Sequence, residues 1–403
     1  MEKIGTNIEK DFLDGKYIHD FMELINNNEM FFHRSDLVLL YNLICTFKDR
    51  IITAIVYINK HCDTPKTEEE FINFLVYAAM LYDGFNKMHE NLLHNIPPYK
   101  GKKIFFKDAK HYKYLFFDKE TCPTDDVFFE YLRAMAFAHP YEVSKKGRPF
   151  IKEGEKHYCP WVMVNNKWLF DGVKDSVGIR IYTNIDQDEI IDLTFSFNSL
   201  KGYIKSIYNT FPKFIEWAKD VINGQNEEWK QTKVNRVQDN ISILKEIHGI
   251  LESRFASTYT IDTAITYLTC KTTIEGNNKN VQTFRDKISE AIPQICDYID
   301  NLDYEGMESA LSFLYDYPNK MHSQAGYQLE KIFSYLDKRS EYIDHASNEY
   351  WGLQQAYLFS QEFAKKWVKI DVNYMQYDEI KLLVSVACFL EKQEQEKNRR
   401  VRR

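Results

Sequence analysis

The sequence has few of the features that mark exported, membrane-spanning or metal-clustered proteins. Its seven cysteines are odd in number and scattered, with no CxxC pair, which argues against a disulfide framework or a structural zinc site and fits free thiols in a reducing compartment. The first fifteen residues carry six charged side chains, so no apolar signal-peptide core is expected there. The most apolar windows, around residues 35–58 and 70–82, are interrupted by charges and fall short of the ~20 apolar residues that cross a bilayer. We therefore expect a cytoplasmic protein without a membrane span.

Several well-known site motifs are also absent. The sequence contains no GxxxxGK[ST], GxGxxG, GxSxG or HExxH, which excludes the corresponding nucleotide, hydrolase and zinc-protease sites. His157 and Cys159 are close in sequence but lack further ligands, so we interpret them as residues at a sheet edge. We predict neither a metal nor a cofactor. The net charge of −7 argues against a surface that generally coats nucleic acid, so any such contact must be local.

The composition predicts a folded chain of more than one unit. Of 403 residues, 44% are hydrophobic and 15% aromatic, and domains usually contain about 100–200 residues. We predict a mainly α fold: helical bundles with a small inserted antiparallel β-sheet at about residues 157–197. The expected organisation is an N-terminal helical domain (1–155), a β insertion (156–198), a C-terminal helical domain (199–395) and a basic tail (396–403).

Local patterns support this division. Apolar residues recur at helical spacing from about Lys10 to Asn95, which predicts three or four helices that end before Pro97-Pro98. Another helix is expected to begin near Thr124, a plausible N-cap, and to end at His139-Pro140.

The periodicity then changes to that of β-strands. Residues 161–164 and 167–170 predict two strands joined by an Asn165-Asn166 turn, and residues 178–182 and 190–195 predict a second pair.

A segment rich in lysines and aromatic residues precedes the second helical region. Residues 98–117 alternate cations and rings, which is typical of a groove for RNA phosphates and bases. The alternative is a solvated face over buried Phe105 and Phe116.

Two further segments share a pattern that suggests chemistry. Arg133 precedes His139 by six positions, and Arg339 precedes His345 by the same interval. Histidine moves protons near neutral pH, and arginine holds a phosphate and stabilises a charged transition state. The combination is suited to metal-independent RNA cleavage.

The first Arg–His pair has the more favourable context. Residues six apart on a straight helix point about 120° away from each other, but Pro140 disfavours helical conformation at His139. The loop that follows contains Lys145, Lys146 and Arg148, which we predict to bind substrate phosphates. The alternative is structural: Arg133 pairs with Glu130 one turn earlier, His139 caps the helix dipole, and Arg339 pairs with a nearby carboxylate in solvent.

The motif and its surroundings resemble a known superfamily. The sequence "RAMAFAHP" (residues 133–140), with "HYCPWVMV" and "VGIRIYTN" after it, resembles bacterial HEPN-type (higher eukaryotes and prokaryotes nucleotide-binding) proteins of phage-defence character. The resemblance implies a helical endoribonuclease in which R-x(4–6)-H motifs meet within a chain or across a dimer. It implies that Arg133, His139, Arg339 and His345 are catalytic. Members commonly have a polar residue after the arginine, which Ser340 matches and Ala134 does not.

Two classes of function therefore remain open. The first is an endoribonuclease acting on RNA as a toxin or effector in anti-phage defence, working as a homodimer or with a partner protein. The second is a non-catalytic helical interaction or sensor protein of a defence system. A nucleotide-binding helical module is weaker, since no phosphate loop is visible.

Overall fold

The chain divides into two units, Met1–Asn223 and Gly224–Arg403. The computed structural model describes residues 12–164, 175–186, 188–315, 317–318, 320–337 and 346–401. Both units are mainly helical, and the first also contains an antiparallel sheet. The predicted fold class, helical bundles with a small antiparallel sheet, is thus confirmed.

The first unit begins with the helical run that the sequence predicts. Thr67 caps α4, its hydroxyl accepting a hydrogen bond from the Glu70 N–H at 3.1 Å, and three glutamates in the first turn complement the helix dipole. Wide π-helical turns follow α4 and α5. The helices are α1 (Lys16–Asn26), α2 (Met30–His33), α3 (Ser35–Lys60), α4 (Glu68–Met88), α5 (Asp125–Arg133) and α6 (Phe197–Tyr208), and the π-helical turns are His89–Leu93 and Ala134–Ala138. Helix α7 (Pro212–Gln231) begins in this unit and ends after the boundary at Asn223.

The sheet of this unit is entirely antiparallel. Its strands are β1 (Lys110–His111), β2 (Tyr114–Leu115), β3 (Val143–Ser144), β4 (Lys156–Tyr158), β5 (Val162–Val164), β6 (Ser176–Thr183) and β7 (Ile190–Ser196). The order is β2-β1-β7-β6-β4-β3, and β5 also pairs with β6. The predicted pair of strands around residues 178–182 and 190–195 is confirmed as β6 and β7, in the register Arg180 opposite Asp192.

The core of the first unit is unusually aromatic. Phe128 and Phe106 pack edge-on against Phe195 of β7, with ring centroids 5.5 and 5.7 Å away. Phe85 contacts Phe47 in the same way at 5.5 Å, joining α4 to α3. These contacts attach one face of the sheet to α5 and attach α3 to α4, so α5 is held in place by buried rings.

Two details of the sequence interpretation are wrong, and one lies outside the described residues. His157 is not at a sheet edge: β4 pairs with β3 on one side and with β6 on the other. In the segment 98–117 the buried rings are Phe106 and Phe117, whereas Phe105 and Phe116 are only partly buried. In each case the buried ring is one residue later than predicted, because a short irregular segment follows neither helical nor strand periodicity. Of the hairpin predicted for residues 161–170, residues 165–170 are not described.

The second unit is helical in the described residues. The helices are α8 (Asn240–Ser253), α9 (Tyr259–Thr269), α10 (Asn278–Asp300), α11 (Tyr304–Ala310), α12 (Ala325–Tyr335), α13 (Ala346–Glu362) and α14 (Tyr377–Val401). Residues 379–390 of α14 are buried on every face, which is typical of the central helix of a bundle. The first residues of the basic tail, 396–401, continue α14 as helix.

Candidate functional site

The first Arg–His motif lies on an irregular end of a helix. Arg133 is the last residue of α5, and residues 134–138 continue as a π-helical turn, which we call the π-turn. The turn closes with a hydrogen bond from the His139 N–H to the Ala134 carbonyl at 2.7 Å. His139 then leaves the helix, with φ −143° and ψ 54°, as Pro140 predicts. Such π-helical turns are rare in proteins and are found frequently at functional sites.

Arg133 and His139 line the same cavity. This cavity, the motif cleft, has a volume of about 330 Å³ and also contains Lys146 and Arg148 from the following loop. Its lining residues are Glu130, Arg133, Ala134, Ala138, His139, Glu142, Val143, Ser144, Lys146 and Arg148. The structure therefore brings together four of the residues that the sequence analysis selected.

The side chains in the motif cleft differ in how firmly they are held. His139 is exposed, and its imidazole makes no hydrogen bond to any of the described residues. Lys146 is likewise exposed and without an ion pair within the part of the chain that the structure describes. Lys145 does not line the cleft and instead donates to Glu153 at 3.0 Å. The imidazole and one lysine are thus available to a ligand.

Arg133 is held chiefly by a residue that the sequence analysis did not select. Its Nη1 lies 2.8 Å from both carboxylate oxygens of Asp83 on α4, and its Nε lies 3.6 Å from Glu130. Burial alone would lower the pKa of Arg133, but the hydrogen bonds and charge of Asp83, with Glu130, raise it. The guanidinium is therefore fixed in direction as well as permanently charged.

Arg148 is positioned by a ring and by its own loop. Its guanidinium carbon lies 5.9 Å from the centroid of the Tyr131 ring, within cation–π distance. Its Nη1 donates to the Ser144 carbonyl at 2.9 Å. Burial lowers the pKa of this guanidinium, which nevertheless stays protonated at any ordinary pH.

Behind Arg148 lies a buried polar network that the sequence did not reveal. Tyr131, His157 and Glu155 expose at most 7% of their surface. The Tyr131 hydroxyl is 2.7 Å from His157 Nδ1, and His157 Nε2 is 3.2 Å from a Glu155 oxygen, although that second contact is not aligned as a hydrogen bond. Burial lowers the pKa of His157 despite Glu155, which favours the neutral ring at pH 7. The network ties β4 to α5 beneath the loop that carries Lys146 and Arg148.

Glu130 gives the motif cleft a second group that can carry a proton. Its side chain is partly exposed and lines the cleft together with His139. Burial raises the pKa of this carboxyl, and the charge of Arg133 opposes the rise only in part. A carboxyl with a raised pKa is suited to general acid–base chemistry. The sequence analysis considered Glu130 only as a partner for Arg133.

Arg339 and His345 lie outside the described residues. In the described part of the chain, the one group of three side chains with converging metal-ligand atoms is His19, Asp20 and Glu23 on α1, within 4.8 Å of one another. Two of the three are exposed, and such surface clusters are common without an ion, so the cluster does not define a metal site.

None of the helices in the described ranges combines the length and the apolar character needed to span a membrane. The chain matches no protein-family model, no curated protein and no solved structure.

Proposed function

We propose that the chain is a metal-independent endoribonuclease whose active site is the motif cleft. The observation that carries the proposal is the convergence of Arg133, His139, Lys146 and Arg148 on one cavity. Three permanent cations are suited to a phosphodiester, and an exposed imidazole is suited to proton transfer. The HEPN resemblance supports the same chemistry and, further, a role as toxin or effector in anti-phage defence.

The residues of the motif cleft suffice for transesterification of RNA. The ribose 2′-oxygen forms a bond to phosphorus while the bond to the 5′-oxygen breaks, giving a 2′,3′-cyclic phosphate and a 5′-hydroxyl. His139 and Glu130 are the two groups that can take the proton of the 2′-hydroxyl and supply one to the leaving oxygen. Arg133, oriented by Asp83, stabilises the charge that develops on the phosphoryl oxygens.

The proposal is tested with purified protein and single-stranded RNA in the presence of EDTA. We expect cleavage that leaves 2′,3′-cyclic phosphate ends and that His139→Ala abolishes. His19→Ala is the matched control, because His19 is an exposed histidine on α1 that does not line the motif cleft. Activity that vanishes in EDTA and returns with Mg²⁺ would refute the mechanism, and a fully active, well-folded His139→Ala would remove Arg133 and His139 from the active site.

The contribution of the second pair is tested by non-additivity. If Arg339 and His345 complete one composite centre, His139→Ala and His345→Ala each abolish cleavage, and the double variant is no worse than either. If two copies of the first pair meet in a homodimer, His345→Ala cleaves normally. All variants are compared at matched folding, measured by circular dichroism.

A second candidate function is a non-catalytic interaction or sensor protein. The observation that favours it is a group of exposed aromatic side chains on α13: Tyr350, Trp351 and Tyr357 expose 68%, 39% and 51% of their surface. Tyr and Trp are enriched where proteins bind other proteins. RNA that stays intact with the wild-type protein, under conditions that trigger the defence system, would favour this candidate.

A further inference from the structure

A second cavity adjoins the motif cleft at Arg133. This cavity, which we call the α3–α4 cavity, has a volume of about 460 Å³, within the range of roughly 300–1,000 Å³ of ligand pockets. Arg133 lines both cavities, and Phe137 brings the π-turn into this one. Its lining residues are Leu43, Thr46, Phe47, Arg50, Ile51, Val76, Ala79, Met80, Asp83, Gly84, Lys87, Arg133 and Phe137.

The α3–α4 cavity combines an apolar interior with cations. Seven of its residues have aliphatic, aromatic or methionine side chains, and Phe137 among them is partly exposed. The charged lining residues are Arg50, Lys87 and Arg133 against a single carboxylate, Asp83. Lys87 is also paired with Glu90 at 2.7 Å, whereas Arg50 is exposed and has no ion pair or hydrogen bond with any residue that the structure describes. The cavity therefore fits a ligand with a flat apolar part and a negative charge.

We propose that the α3–α4 cavity binds a nucleobase of single-stranded RNA, next to the nucleotide whose phosphate lies in the motif cleft. Arg133 lines both the α3–α4 cavity and the motif cleft. A short span of RNA can therefore place a base in the cavity and the adjacent phosphate in the cleft. Apolar and aromatic side chains stack on any base, and Arg50 pairs with the neighbouring phosphate. The identity of this ligand rests on the proposed function, since the phosphate in the cleft is the substrate of that reaction.

The test measures binding rather than cleavage. The probes are a short fluorescent 2′-O-methyl RNA, which has no 2′-hydroxyl to react, and an abasic strand of the same length and charge. Fluorescence anisotropy is recorded with the His139→Ala protein. We expect the strand with bases to bind about tenfold or more tightly than the abasic strand, since stacking of one base on an aromatic side chain contributes a factor of this order.

A matched pair of variants locates the base. Thr46 is exposed on α3 and lines the cavity, so Thr46→Trp fills its entrance. Leu39 is 76% exposed on the same helix and lies outside the lining, so Leu39→Trp adds the same ring elsewhere. Thr46→Trp should reduce the affinity for the strand with bases to that for the abasic strand. Leu39→Trp should leave both affinities unchanged.

The outcomes separate this inference from the proposed function. Equal affinities for the two strands, or equal behaviour of Thr46→Trp and Leu39→Trp, would overturn the base site even if His139-dependent cleavage is observed. Base-dependent binding that Thr46→Trp removes would support the base site even if the wild-type protein cleaves no RNA. If the cavity binds an aliphatic ligand or a peptide instead of a base, the two strands should bind with equal affinity, because they differ only in their bases.

Discussion

Removal of one hydroxyl group tests the buried network beneath the motif cleft. Tyr131→Phe keeps the ring, which Phe150 packs against edge-on with centroids 4.9 Å apart, and deletes only the O–H group 2.7 Å from His157 Nδ1. The shape of the core is preserved, so no cavity forms. The effect measured is therefore that of the hydrogen bond.

The expected loss of stability in Tyr131→Phe follows from the burial of His157. After the substitution His157 Nδ1 has lost its partner, and Nε2 already lacks a well-aligned one in the described structure. A buried polar atom left unsatisfied costs about 1–3 kcal/mol. Tyr141→Phe is the control, because Tyr141 is 88% exposed and its hydroxyl is in contact with solvent; its cost should lie within about 0.5 kcal/mol of zero.

The assay is native-state hydrogen exchange of the β4 amides. In a chain of two units a single unfolding free energy is poorly defined, whereas exchange reports the local opening that exposes His157. A loss of 1–3 kcal/mol corresponds to exchange roughly 5- to 150-fold faster at constant pH. If Tyr131→Phe and Tyr141→Phe exchange at the same rate, the hydrogen bond does not stabilise β4 and the argument fails.

Three further predictions follow from buried groups of the first unit. The carboxylate of Asp125, 1% exposed, accepts from the backbone N–H groups of residues 104–106 at 2.9–3.2 Å. Asp125→Ala should therefore cost about 3 kcal/mol or more, measured by native-state hydrogen exchange of the α5 amides, and a cost below about 1 kcal/mol would contradict this. Gly178→Ala places a Cβ 2.3 Å from the Leu193 carbonyl oxygen, so we expect a local loss of roughly 1–3 kcal/mol, measured as faster hydrogen exchange of the β6 amides. Because burial lowers the pKa of His157, its neutral form contributes stability that is present above the unfolded pKa of about 6.5 and is lost as pH falls through the folded value. This group contributes at most about 1.4 kcal/mol per pH unit to the slope of stability against pH. His157→Gln should flatten that slope below about pH 6.5, measured by hydrogen exchange of the β4 amides corrected for intrinsic rates; an unchanged slope would count against a neutral His157.

Local features of the fold could be predicted from the sequence. The helical run before Pro97, the end of the α5 region at His139 and the pairing of β6 with β7 each depend on periodicity or on a proline within a few residues. These features can be predicted because the restricted backbone of proline and the alternation of strand side chains do not depend on tertiary contacts.

The partners of the site residues could not be predicted in the same way. Asp83 is fifty positions from Arg133, and His157 is twenty-six from Tyr131. Contacts of this kind depend on how α4, α5 and β4 pack together, which no local pattern encodes. The alternative interpretation correctly expected the ion pair of Arg133 with Glu130. It missed the closer contact with Asp83, because spacing within one helix was the only geometry that the sequence offers.

The π-turn after Arg133 makes the motif tolerant of a change in the length of the chain. A π-helical turn accommodates one residue more than an α-helical turn, and residues 134–138 offer three alanines in alternate positions. Loss of one alanine would let α5 continue with regular hydrogen bonds, because the wide turn already takes up the extra residue. His139 would then keep roughly its direction relative to Arg133, whereas the same deletion in the regular part of α5 would rotate the residues after it by about 100° around the helix axis. The number of residues between Arg133 and His139 can therefore differ by one without separating the guanidinium from the imidazole.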